Sequence, residues 1–399
     1  MKIKLFIING LCMCFLFCSC ITEYEATGIE EQADILVVEG IITDNETIIT
    51  LSRSKRLTDD GSESFYTVSN ATVYVDCEDG TQFYGAPNWG WNNPNGQYII
   101  KTGVLNQELT YSLKIEIEEP DFDSPDCYPT GDGWFCPSKT YVYSSDPSYP
   151  IKTPEIDSVF WTKRGRGQPV NIHVATHTPD NKVLYYRWSY REDWETVAED
   201  QIPDARLPSY PYYCWSTDVS RNMLLGSAEK TTFGRVTDII NVMIPSSRKL
   251  MELYRIDVTQ NAISKRAHDY FANIKKNSQQ SGSIFAPVPS ELRGNIMCIT
   301  DPGRAVIGYI DVSTTTYKRR YIPRVENAYE SPYSDCTVLT LEAYCEKMGI
   351  EENCQIPWEW VPYTMGGYGE DPTYIEQKCV DCTYWGITTN KPEDWPNNH

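Results

Sequence analysis

Over most of the chain, apolar positions recur every second residue in short runs, and the runs are separated by turn residues. That is the pattern of half-buried β-strands. The clearest run is 111–118, where Tyr111, Leu113, Ile115 and Ile117 alternate with Ser112, Lys114, Glu116 and Glu118. Similar runs at 35–42, 48–52, 71–77 and 97–101, with a hairpin signal at Asp79-Gly80, predict a small β-sandwich of the immunoglobulin or transthyretin kind over 35–118. Residues 119–154, rich in Pro, Tyr, Ser and Gly, break the pattern and read as a linker or loop. From 155 to 399 a second mainly-β domain is expected, with its clearest strands at 170–175, 183–190, 254–258 and 305–312. One amphipathic helix interrupts it. Ile263, Ala267, Tyr270, Phe271 and Ile274 share a face at helical spacing, Asn261 or Ser264 caps the start, and Gly282 follows the end. That face reads as core. The fold class is therefore mainly β, ending in a Cys-rich region.

The first residues have a different pattern. Lys2 and Lys4 precede an apolar run from Leu5 to Phe17, too short for a membrane helix and of the length of a signal-peptide core. The run stops at Ser19-Cys20, and no Ala-x-Ala site is present. This predicts a lipoprotein signal peptide at 1–19 and acylation of the Cys20 thiol, which anchors the chain to a membrane through two or three acyl chains. Residues 20–34 then form an acidic tether. Cys18 as acceptor, or a secreted chain with an irregular cleavage site, are the alternatives.

Charge narrows the partners. The formal net charge is −20, and loss of residues 1–19 removes two lysines and no acid, leaving 33 basic against 55 acidic residues. Such a surface repels a phosphate backbone, so no nucleic-acid partner is expected.

Ten cysteines follow Cys20, an even number that in an oxidising compartment favours disulfides. Cys127 and Cys136 bracket a short loop and are the easiest pair to propose. Cys336, Cys345, Cys354, Cys379 and Cys382 crowd the last 65 or so residues with no readable connectivity. A zinc site on Cys379-x-x-Cys382 is the alternative, but one such motif is a weak signal, and no metal or cofactor is expected.

Catalytic signatures are poor. His173 and His177 lie on a strand, where a four-residue separation puts side chains roughly 13 Å apart. The three Ser-x-x-Lys matches (Ser52/Lys55, Ser227/Lys230, Ser246/Lys249) lack companion motifs, and no nucleophile elbow, His-Glu-x-x-His or phosphate loop occurs. No catalytic residues are assigned. Aromatic residues instead cluster in loop-like sequence: Trp89 with Trp91; Tyr210, Tyr212, Tyr213 and Trp215; Trp358, Trp360 and Tyr363. Such rings suit an oligosaccharide, a peptide or a partner protein, or else fold back on the sheet edges.

Several segments, in order, resemble a family of Bacteroidetes-type outer-membrane lipoproteins catalogued as domain of unknown function 4249. They include Leu36-Val-Val-Glu-Gly-Ile-Ile-Thr-Asp, Tyr185-Tyr-Arg-Trp with Trp194-Glu, and Ile263-Ser-Lys-Arg-Ala-His-Asp-Tyr-Phe. Gly282-Ser-Ile-Phe, Pro289-Ser-Glu-Leu-Arg-Gly-Asn-Ile, Val306-Ile-Gly-Tyr-Ile-Asp-Val, Cys379-Val-Asp-Cys, Gly386-Ile-Thr-Thr-Asn-Lys-Pro and Trp395 complete the set. The resemblance brings no catalytic residues and implies a structural role for the Cys379-Val-Asp-Cys element. It also implies a lipoprotein encoded beside TonB-dependent transporters, and Glu23 and Glu25 resemble an acidic surface-export signal. The expected function is a non-enzymatic accessory of TonB-dependent nutrient uptake at the outer membrane, exposed at the cell surface. A structural or adhesive surface protein is the alternative, and a surface hydrolase a distant third.

Overall fold

The computed structural model of the chain describes residues 35–54, 67–88, 96–121, 124–131, 133–178, 182–231, 234–280, 294–324, 336–350, 353–367 and 370–396. The expected leader and tether, with Cys20, and the pair Trp89 and Trp91 lie outside the described residues. The chain is mainly β. No described helix is long and apolar enough to cross a membrane.

The alternation at 111–117 builds the strand Tyr111–Pro120, with Tyr111, Leu113, Ile115 and Ile117 at most 4% exposed. It sits within a nine-stranded sheet. In spatial order the sheet runs Ile296–Cys298, Ser138–Ser145, Tyr111–Pro120, Ala71–Cys77, Gln82–Pro87, Gln97–Gly103, Asn45–Arg53, Leu36–Gly40 and Val306–Gly308. The Asp79-Gly80 turn joins two of these strands. Asp79 Oδ1 accepts the Thr81 N–H at 2.9 Å, and Gly80 takes φ 86°, a conformation that favours glycine. Inward side chains from both ends of the sheet, from Leu36 to Cys298, meet in one hydrophobic cluster, so the sheet curls round a single core. At the closure a Cβ on Gly308 would lie 2.6 Å from the Val38 carbonyl oxygen, and only glycine fits there.

Two expectations change here. Residues 119–154, read as a linker, supply the strand Ser138–Ser145, in which Tyr141, Tyr143 and Ser145 face inward. The sheet also takes Ile296–Cys298 and Val306–Gly308 from beyond the boundary expected at 155.

The second body has two sheets. A three-stranded sheet (Ile156–Lys163, Val170–His177, Arg235–Met243) faces a five-stranded one containing Tyr213–Val219, Tyr185–Val197, Tyr254–Ala262 and Thr315–Ile322, with Leu224–Ser227 paired to Tyr185–Val197. Val159, Ile172 and Val174 from one sheet and Tyr186, Trp188, Ile256 and Val258 from the other share a core. Each fully buried aliphatic side chain there contributes roughly 1.5–3 kcal/mol. Gln260 is buried among them at no cost in unpaired polar atoms. Its side chain accepts from Trp188 Nε1 at 2.8 Å and donates to the Pro154 carbonyl at 2.8 Å.

The predicted helix forms at Lys265–Gln280, and Ser264 is its cap, accepting the Ala267 N–H at 3.1 Å. Asn261 instead lies within the strand Tyr254–Ala262 and donates to Thr315 Oγ1 at 2.9 Å. The helix buries Ala267, Tyr270 and Phe271 against Tyr185 and Tyr309. A small third sheet (Leu339–Thr340, Thr373–Glu376, Trp360–Thr364) and the helix Leu341–Met348 form the C-terminal module.

Candidate functional site

The five-stranded sheet pairs without a register break from Tyr186↔Ala262 to Trp194↔Tyr254, and from Tyr254↔Ile322 to Asn261↔Thr315. Strict alternation therefore sends Tyr186, Trp188, Ile256 and Val258 into the core. Their neighbours point outward and make a continuous polar face. Its two ends are electrostatically opposite.

At one end lie Asp193, Arg255, Asp257, Arg319 and the C-terminal Asp394. Arg255 is almost wholly buried and donates to Asp193 Oδ2 at 2.9 Å and to Asp394 Oδ1 at 2.6 Å. Arg319 forks onto both Asp257 oxygens at 2.7 and 2.9 Å and also reaches Asp394. Such planar, bidentate pairs are the strong class of ion pair. Burial works against the Arg255 charge, but the hydrogen bonds to Asp394 and Asp193 more than offset it and raise its pKa. Donation from Arg255 and Arg319 holds the Asp394 carboxyl at about 2. Trp395, 4% exposed, covers the Arg255 guanidinium with its ring centroid 5.4 Å away. This end is closed, and it locks the C-terminal segment onto the sheet.

At the other end Arg187 lies between the helix and the first sheet. Its guanidinium stacks over Phe271 at 4.8 Å. Burial lowers its pKa, and Glu39 opposes that only in part. No hydrogen bond or salt bridge joins its guanidinium to another described residue. It lines a cavity of about 300 Å³ together with Gly40, Ile41, Glu46 and Ile48 from the first sheet and Ser189 and Thr259 from the polar face.

A larger cavity, about 620 Å³, is lined by Tyr190, Arg221, Asn241, Val242 and Lys275. Behind Asn241 sits the inward-facing Glu192, which accepts from Tyr254 Oη at 2.6 Å, Asn241 Nδ2 at 2.9 Å and Lys249 Nζ. Burial, and then the Glu192 charge, push the Tyr254 hydroxyl well above its ordinary pKa. The Glu192 carboxylate is fully partnered, so it has little capacity left for an added ligand.

The aromatic candidates mostly pack. Tyr210 and Tyr363 lie against the Val361–Ile375–Cys379 cluster, and Tyr363 Oη donates to Asp200 at 3.0 Å. Tyr212 and Tyr213 form an edge-to-face pair at 4.8 Å, and Tyr212 packs on Cys214 and Cys382. Trp215 is 8% exposed and pairs through its backbone with Thr388; Trp360 meets Tyr344 edge-to-face at 5.1 Å. Trp358 alone of the described candidates is openly presented, 78% exposed. Sequence reasoning missed Arg187, although its place between Tyr186 and Trp188 on a strand was the available signal.

Four disulfides are present among the described residues: Cys127–Cys136, Cys214–Cys382, Cys336–Cys379 and Cys345–Cys354. The first was the pair proposed from spacing. Cys379 and Cys382 are bonded to different partners, which leaves no thiolate pair for zinc at that motif. Cys77 and Cys298 remain free and buried in the first core. His173 contacts Thr162 Oγ1 at 2.8 Å, and His177 meets Asp157 at 2.7 Å, so the two strand histidines serve separate local pairs.

A family model described as a domain of unknown function, DUF4249, matches residues 21–125 and 137–319. The match covers most of the chain, takes in Arg187 and its cavity, and ends before the C-terminal cysteines. No curated protein matches the chain.

Proposed function

The chain belongs to the DUF4249 family, and from that premise we propose that it is a lipid-anchored protein of the outer membrane, held through Cys20 and exposed at the cell surface. There it serves a TonB-dependent uptake system as a non-enzymatic accessory that captures ligand or attaches to the transporter. The observation that carries the reading is the outward face of the five-stranded sheet. One end of it is tied shut by ion pairs, and the other opens on a cavity with an arginine that no described carboxylate contacts directly. That is the form of a binding scaffold: rigid strands presenting an unspent charge.

Export is supported by the four disulfides, which persist in oxidising compartments. The apolar leader ending at Cys20 supports the anchor. Metabolic labelling with an alkyne fatty acid tests it: wild-type protein takes up label, and Cys20→Ala does not. Label retained on Cys20→Ala would move the acceptor to Cys18 or elsewhere. Surface display is read by shaving intact cells with protease, where loss of the C-terminal module from whole cells is the expected result.

A further inference from the structure

We infer that the cavity at Arg187 is a receptor for a small carboxylate, an amino-acid-sized ligand whose carboxylate pairs with the Arg187 guanidinium between the hydroxyls of Ser189 and Thr259. This deepens the ligand-capture part of the proposed function, and its failure would leave transporter attachment, which co-purification reads, untouched.

The inference starts from an imbalance on one sheet face. Arg255 and Arg319 each hold two carboxylates, whereas Arg187, in the same alternation and more enclosed than Arg319, holds none. A half-buried guanidinium that no carboxylate contacts is costly, because its charge loses water and gains only the longer-range attraction of Glu39. The Phe271 ring returns part of that through cation–π attraction but leaves the in-plane N–H donors unused. Those donors border open space. The cavity of about 300 Å³ is at the small end of ligand pockets, which run from roughly 300 to 1,000 Å³.

Its walls choose the ligand. Ser189 and Thr259 are opposite each other on adjacent strands, and their hydroxyls make no hydrogen bond within the described residues, so both are free to donate to an oxyanion. Ile41 and Ile48 supply an apolar wall for a short aliphatic group. A single guanidinium balances a monoanion. Glu46 on the rim, Glu39 nearby and the acidic chain as a whole disfavour a phosphate dianion. Planar bidentate pairing is the geometry in which arginine and carboxylate match.

The test uses the whole mature chain and a matched pair of probes, N-acetyl-leucine and N-acetyl-leucinamide, which differ only in the carboxylate. Saturation-transfer NMR and calorimetry are expected to register saturable binding of the acid and roughly ten- to a hundredfold weaker binding of the amide. Inorganic phosphate should compete poorly. Ser189→Asp would furnish the missing counter-ion from the chain itself, so this variant should raise the thermal midpoint and abolish acid binding. Arg187→Met should lose binding without lowering the midpoint. The inference is overturned by no saturable binding of the acid, by equal binding of acid and amide, by phosphate binding as well as the acid, or by undiminished binding in Ser189→Asp. A lowered midpoint in Arg187→Met would equally overturn it, by making the arginine a structural prop.

Discussion

Asp394 shows how much one exposed carboxylate can organise. It is half exposed, yet it accepts from both Arg255 and Arg319 and brings Trp395 down over the sheet. Its pKa of about 2 lies below the roughly 3.9 of an unfolded aspartate. A depressed carboxylate contributes stability that is fully present above the unfolded value and is lost as pH falls through the folded one. The stability advantage of wild type over Asp394→Asn should therefore be constant above about pH 4 and fade between about pH 4 and 2. Solvent screening keeps the effect small. Urea midpoints measured at several pH values read it directly, and an advantage that persists unchanged at pH 2 would contradict this account of the clamp.

Elements formed where local pattern was strong. The period-two run at 111–117 and the Ser264-capped helix were legible because burial follows spacing within one element. The strand Ser138–Ser145 was not. Its sequence is Ser, Lys, Thr, Tyr and Val, and the hydroxyl-rich composition resembles a loop until Tyr141 and Tyr143 find the core. Nor could spacing reveal that Cys214 pairs with Cys382 across 168 residues, or that Val306–Gly308 lies parallel to Leu36–Gly40. Those are tertiary choices. The polar face of the five-stranded sheet was hidden for the same reason: alternation marks Arg187 as outward, but only register brings Ser189 and Thr259 beside it.

The Cys214–Cys382 bond joins an edge strand of the five-stranded sheet to the turn that follows the third sheet. A Cβ on Gly386 would come 2.3 Å from Cys214 Cβ, so the turn approaches as closely as a glycine allows. Replacing both cysteines with serine should cost about 2–5 kcal/mol and free the C-terminal module first. Limited proteolysis should then release fragments from beyond residue 336 while the two larger bodies stay intact. Gly386→Ala should lower stability by roughly 1–3 kcal/mol through overpacking at the same contact. Wild-type midpoints for either variant would mean that the Asp394 ion pairs, the Trp215–Thr388 backbone bridge and the aromatic contacts hold the module without this contact.

At the scale of the whole molecule, three parts divide the work. The nine-stranded sheet follows the expected tether and curls round its own core, and the second body offers its polar face to solvent. The C-terminal module, stapled by disulfides, covers one end of that face and presents Trp358. On the function proposed above, the scaffold is anchored at Cys20 and meets a partner in the same membrane. The most direct measurement is affinity purification of the C-terminally tagged protein from gently solubilised native membranes, with co-purifying proteins identified by mass spectrometry. The account predicts a TonB-dependent transporter recovered in stoichiometric amount; reproducible recovery of the tagged protein alone would contradict it.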